Sequence, residues 1–411
     1  MNNHKHKEAS LSEELPYWDF FDEPKPHAVL IDGSVVAGLE MTLADIECFD
    51  DRETNQFTTG LRSALNSISE NTTMQFVFSV RSDYSDVIDK HVSSESMTVN
   101  KLVKKIADFR KEKLLASQDS GELYRPSLRV YLRVKPVQAK KVSIFKKKEV
   151  FSQVTKDAYE ETLENLNQNI ENIISSFGSL GIESRQLLKD EMLTHIYQFL
   201  NPKRSKIEPT PLVKTAAEPD LSEELLNEAN WLANSSPREQ LIFGDLVLGF
   251  AQFTLDQYHH RLVTLKTLPE MTYAGQLSGF MRMPFHYDLI LSFEVPTQSN
   301  EMAKLQQKRK MAHSLAVTQA GRASDLESES KLSSTEELIR ELLNTGQRIY
   351  AAQITVVLKA EATPDGNKKL NREVREVLSR FRALQGAEGL EESVGAWKVL
   401  KDIGTDQLSA A

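Results

Sequence analysis

The chain has 411 residues, 40% of them hydrophobic and 27% charged, a globular composition with room for about two or three domains. Its net charge of −9 and pI near 5.6 argue against general coating of nucleic acid, because phosphate neutralisation needs an excess of Lys and Arg. The single cysteine, Cys48, excludes an internal disulfide framework and fits a reducing compartment, with the cytosol as the default.

Residues 1–20 lack the basic-then-apolar order of a secretory signal. The most apolar stretch, LVLGFAQF at 246–253, is far below spanning length, so the expectation is that nothing here crosses a membrane. His4 and His6 lie in a polar start, through residue 26, that reads as disordered and lacks further metal ligands nearby. His27–Asp32, the Gly33-Ser34 turn and Val35–Leu43 then read as a β-hairpin. Asp50 and Asp51 stand where helix caps belong, ahead of Phe57, Leu61, Leu65 and Ile68 on one helical face. Met74–Val80 alternates as a strand. A helix over Thr98–Ser117 carries Leu102, Ile106 and Phe109 on one side and lysines on the other, and Ser127–Lys135 alternates again.

Tyr159, Leu163, Leu166, Ile170, Ile173 and Phe177 recur at helical spacing. Gly178 follows where a left-handed cap is expected. A further helix over Asp190–Leu200 ends at Asn201-Pro202, since proline cannot continue it. Pro202, Pro209, Pro211 and Pro219 give residues 201–235 the composition of a linker, with a short helix from Asp220 through Trp231.

Beyond the linker, Asp245–Thr254 and His259–Leu268 read as two strands around Leu255–Tyr258. A short helix near Gly275–Met281 and the strand Tyr287–Glu294 follow. A charged helix from Ser299 gives way to the polar loop GRASDLESESKLSS; Ser334 and Glu337 form a capping box for another helix, which Gly346 ends. Strand Ile349–Lys359 and an amphipathic helix with Val374, Val377, Leu378 and Phe381 close the pattern. The fold class expected is α+β: two mixed sheet-plus-helix units of similar ββαβαβ-like order, 27–200 and 236–411, joined by the 201–235 linker.

Chemistry is conspicuous by what is missing. No G-x-x-x-x-G-K-[ST] occurs and no glycine precedes a lysine, so there is no P-loop and no expected RecA-like motor domain; G-x-S-x-G, H-E-x-x-H and C-x-x-C are absent as well. No catalytic, nucleotide-binding or metal residue is therefore assigned. The acidic cluster Asp45, Glu47, Asp50, Asp51 and Glu53 is better explained by helix capping than by a divalent metal. His259 and His260, adjacent in a strand, point to opposite faces and do not pair as ligands. Lys140, Lys141, Lys146, Lys147 and Lys148, interleaved with Val142, Ile144 and Phe145, form a basic patch suited to an anionic membrane surface, the alternative being a solvated loop.

From residue 28 onward the chain resembles the N-terminal, non-motor region of the type IV secretion and conjugation ATPases of the TraC and CagE/TrbE family. The resemblance rests on LKTLPEMTYAGQL, with Leu268, Pro269, Thr272, Gly275 and Leu277, and on LLKDEMLTHIYQFLNP, IDGSVVAGLEMTL and AKLQQKRKMA in order. It implies an assembly and docking module, cytoplasmic and peripheral to the bacterial inner membrane. The implied partners are inner-membrane and core-channel subunits, further copies of the chain, and an ATPase motor. ATP and Mg are implied only for a full-length member. A nucleic-acid-binding module acting on the transferred strand is the alternative reading, and a stand-alone enzyme ranks third for want of site motifs.

Overall fold

The computed structural model describes residues 11–44, 46, 48–95, 100–136, 154–215, 236–269, 271–273, 275–318 and 326–407. The strands are β1 (Tyr17–Phe21), β2 (His27–Leu30), β3 (Val35–Met41), β4 (Thr72–Arg81), β5 (Arg125–Val134), β6 (Ser184–Gln186), β7 (Leu246–Gly249), β8 (Gln252–Leu255), β9 (Tyr258–Thr267), β10 (Tyr287–Val295), β11 (Ala351–Glu361) and β12 (Glu388–Glu391). The helices are α1 (Leu11–Glu14), α2 (Asp51–Asn66), α3 (Ser85–Glu95), α4 (Lys101–Asp119), α5 (Lys156–Gly178), α6 (Lys189–Leu200), α7 (Pro237–Gln240), α8 (Ser278–Met281), α9 (Gln298–Thr318), α10 (Leu326–Thr345), α11 (Pro364–Ala383) and α12 (Ala396–Gln407).

All twelve strands join one sheet, of order β1-β2-β3-β5-β4-β10-β11-β9-β8-β7, with β6 added to β3 and β12 to β9. Every pairing is antiparallel. The two halves of the chain repeat one topology. In each, a hairpin leads to a third strand, a crossing segment, a fourth strand, a helical hairpin and a fifth strand, and then a helix, a short strand and a helix. Registers agree as well. Leu39 faces Val130 and Val77 faces Arg129 in the first half, as Val263 faces Val356 and Ile290 faces Thr355 in the second. Leu128–Arg133 of β5 thus matches Ile354–Lys359 of β11 in register. Val77 faces Ile290 across the β4–β10 seam, so these equivalent residues mark the local two-fold axis between the halves.

The sequence expectation of two sheet-plus-helix units holds in order, but the units share their central strands edge to edge. Both strands at the seam are apolar on alternate positions, and pairing satisfies backbone groups that an exposed edge would leave open. Helices cover both faces. On one face α2 and α5 bury Leu166, Ile170 and Ile173 over Val35, Ala37 and Leu39, while α8 and α11 bury Phe280, Val377 and Phe381 over Val263, Val356 and Leu358. On the other face a single cluster joins Leu193, Ile196 and Leu200 of α6, and Trp397 and Leu400 of α12, to strands of both halves. At about 1.5–3 kcal/mol for each fully buried large apolar side chain, this shared cluster gives the halves a common stability.

Several boundaries differ from the sequence reading. Within the start through residue 26, which reads as disordered, Leu15, Tyr17 and Phe20 are fully buried; three apolar residues without a regular spacing gave no periodic signal. Residues 201–215 pack rather than link, with Asn201 and Val213 buried and the Asn201 amide bonded to the carbonyls of Tyr197 and Leu241 at 2.9 and 2.8 Å. The expected Asp220–Trp231 helix falls outside the described residues. Asp245–Thr254 is not one strand but the hairpin β7–β8, turned at Phe250-Ala251 with Ala251 at φ 59. Helix α10 begins at Leu326, so Ser334 lies inside it and starts nothing. Gly178 is the last helical residue of α5, and the left-handed position comes at Gly181, with φ 78.

Candidate functional site

The acidic residues near position 50 resolve as capping. Asp50 Oδ1 accepts from the Glu53 amide at 2.7 Å and Glu53 Oε2 accepts from the Asp50 amide at 2.9 Å, closing a capping box on α2. Asp45 and Glu47 are outside the described residues, as are His4, His6, Lys140, Lys141, Lys146, Lys147 and Lys148. His259 and His260 point apart. His259 Nδ1 lies 2.8 Å from the Thr254 hydroxyl, whereas His260 is buried, stacked on Phe253, with Nδ1 donating to the Tyr258 carbonyl at 3.0 Å. Among the described residues no group of three or more His, Cys, Asp or Glu could hold a metal ion.

Leu268, Pro269, Thr272, Gly275 and Leu277 come together in the loop between β9 and α8. Gly275 takes φ 79, and the Ser278 amide donates to its carbonyl at 2.9 Å, which starts the single turn of α8. Leu277 packs toward the core beside Phe280, whose ring lies 4.8 Å from that of Phe381. The outer part is apolar and open: Leu268 is 66% exposed, Met271 70% and Tyr273 61%. In the first half the equivalent crossing carries the 16-residue helix α2 packed on α5; here it carries a single helical turn, α8. The β7–β8 hairpin exposes a second apolar group, Val247, Leu248 and Phe250, at the outer edge of the sheet. Exposed apolar clusters of this kind mark contact surfaces.

The sequence reading missed a polar seam where the halves meet. Arg81 Nη2 donates to both carboxylate oxygens of Asp288 at 2.8 Å. Across the two-fold axis, the equivalent pairs Ser79–Asp288 and Gln75–Ser292 are each hydrogen-bonded, the latter from Gln75 Nε2 at 2.8 Å. Burial works to raise the Asp288 pKa, but the charges of Arg81 and Lys359 outweigh it and hold the carboxyl below its usual range. Burial and the like charge of Arg81 bring Lys359 down to about 7. Burial lowers His260 to about 3, with Lys359 adding to the effect, and lowers His195 to about 3, with Arg129 adding. Both imidazoles are therefore neutral at physiological pH. The Arg81–Asp288 pair is satisfied within the seam, and a second pair, Lys135 Nζ to Glu294 at 2.7 Å, also joins the halves. A usable sequence signal existed in the polar residues Gln75, Ser79, Asp288 and Ser292, set at alternate positions in strands that otherwise read as core.

No helix among the described residues is long and apolar enough to cross a membrane. No curated protein matches the chain. A family model described as TraC protein, however, matches residues 11–385, almost the whole of the two-fold sheet with its helices. That match spans both halves and the seam between them, and through it the chain belongs to the TraC family of type IV secretion and conjugation proteins.

Proposed function

We propose that the chain is an assembly and docking module of a conjugative type IV secretion machine, peripheral to the bacterial inner membrane, which binds inner-membrane and core-channel subunits and further copies of itself. The observation that carries this reading is the family match over residues 11–385 in a chain whose sequence holds no P-loop and which displays apolar surface at the β9–α8 loop and the β7–β8 hairpin. A protein that handles no nucleotide itself contributes by holding others in place. Lys140, Lys141, Lys146, Lys147 and Lys148 add a candidate contact with anionic lipid, each lysine contributing about 1 kcal/mol near such a surface. The motor that drives transport, with its ATP and Mg, belongs to a partner or to a segment outside this sequence. Binding to the transferred strand is the weaker reading, because a net charge of −9 opposes it.

The test is competition in a donor cell. Excess chain should occupy sites meant for the working ATPase and lower transfer frequency in proportion to its ratio to that enzyme, by mass action. Leu289→Asp, which puts an unpaired charge into a buried position on β10, is the unfolded control and should not inhibit. Unchanged transfer at high excess of folded chain would refute the docking role.

A further inference from the structure

Helix α4 carries an apolar face that the described residues leave open. It runs for 19 residues without one buried side chain. Isolated helices of that length are marginal in water and ordinarily depend on an apolar face packed against something. Ala107, Lys111, Leu115 and Gln118 lie half-buried on the side toward α3, where the Gln118 side chain accepts from the Tyr84 amide at 2.7 Å. Leu102, Ile106 and Phe109, spaced to share one face, lie on the opposite side: Leu102 is 67% exposed and Phe109 66%. Val103 and Leu114 widen this stripe. The repeat provides an internal comparison. In the equivalent hairpin, α9 with α10, Ile339 and Leu342 are buried although Leu338 and Leu343 are exposed, whereas α4 buries no side chain at all.

The charges select the occupant. On a helical projection at 100° per residue, the arc holding the stripe contains two charged residues, Arg110 and Lys113, both basic, and Lys105 borders it; no acidic side chain falls within the arc. We infer that the outer face of α4 is a docking site for an acidic amphipathic helix of a partner subunit, its apolar residues seated on Leu102, Ile106 and Phe109 and its carboxylates beside Lys105 and Lys113. A helix suits the stripe, since Leu102, Ile106 and Phe109 stay within about 60° of one another along two turns of α4, about 10 Å, with Val103 and Leu114 on one flank. An anionic membrane would meet the same basic residues, but a flat surface would also press on Asp108 and Glu112, which stand on the flank beyond Lys105, whereas one helix seated on the stripe need not reach them. This inference rests on the docking role proposed above and names one of its surfaces.

The probe is a labelled peptide of about 20 residues with Leu on one helical face and Glu on the other, and a control in which every Glu is Lys. Fluorescence anisotropy with the full chain should show saturable binding of the acidic peptide at ~0.15 M salt. The combined L102S/I106S/F109S variant should weaken it by at least about tenfold, and K105E/K113E should weaken it and gain the Lys peptide. Because these residues are exposed, both variants should keep the wild-type melting curve. Equal binding of both peptides, or wild-type affinity in the serine variant, overturns the inference. So does stripe-dependent binding to vesicles with roughly 30 mol % anionic lipid without peptide binding, which assigns the face to lipid. A dimer that the serine variant dissociates, again without peptide binding, overturns it in favour of a second copy. Channel subunits recovered on the tagged chain while the peptide fails to bind would overturn this surface alone and leave the docking role standing; recovery of none would remove both.

Discussion

Glu373 offers a quantitative test of the core beneath α11. It lies on the buried side of the helix with Leu370, Val374 and Val377, is 1% exposed, and neither carboxylate oxygen accepts a hydrogen bond among the described residues. Lys369 stands 3.8 Å away. Burial raises the Glu373 pKa to about 7, only partly offset by the Lys369 charge. A carboxyl raised in the folded state binds its proton more tightly there than in the unfolded chain. Its contribution is therefore fully present below pH 4.5 and is lost as pH rises through 7. A rise of about 2.5 pH units corresponds to a loss of about 3 kcal/mol at pH 8 against under about 1 kcal/mol at pH 5. Glu373→Gln keeps the shape and removes the titration. Urea unfolding of both proteins at pH 5 and pH 8 should show the variant gaining about 2–3 kcal/mol on wild type between the two. Parallel pH profiles for wild type and variant would show that Glu373 is solvated or ion-paired and that the packing described for α11 is wrong.

Lys359 works in the opposite window: its lowered pKa, about 7, means the unfolded chain holds the proton between pH 7 and 10.5, so stability rises with pH there, and Lys359→Met should flatten that rise in thermal melts. Asp288→Ala strands the Arg81 charge at the seam and should cost about 3–5 kcal/mol in urea unfolding; adding Arg81→Met should restore part of it, and no restoration would deny the pair its structural role. Asp50→Ala removes one side of the α2 capping box and should cost about 1 kcal/mol. The purified chain should not hydrolyse ATP, since the phosphate-cradling glycines, the lysine and the metal-binding hydroxyl of a P-loop are missing together; turnover that co-purifies through several columns would contradict this.

The repeated order of elements was legible because each half carries strong local signals: the Gly33-Ser34 turn, the Asp50 cap and the α5 stripe from Tyr159 to Phe177 in the first, and the α11 stripe of Val374, Val377, Leu378 and Phe381 in the second. What local signals cannot carry is which strand meets which across more than 200 residues. The β4–β10 seam depends on Phe76 finding Leu291 and Val77 finding Ile290, and any two apolar strands would read alike. Short edge elements such as β1, β6 and β12 escaped for a related reason: three to five residues hold no measurable period. The stripe of α4 was visible as Leu102, Ile106 and Phe109, but periodicity reports only that a face is apolar. Whether that face is buried by the protein's own sheet is a tertiary fact, and for α4 it is not.

Docking is tested most directly by isolating membranes from donor cells that carry the transfer machinery and express a tagged chain, then asking which channel subunits come with it. Inner-membrane and core-channel subunits should be recovered at ratios that saturate as the chain is raised, and Leu289→Asp should recover none. Folded wild-type chain that remains in the soluble fraction, with no channel subunit attached at any level of expression, would contradict an assembly and docking role.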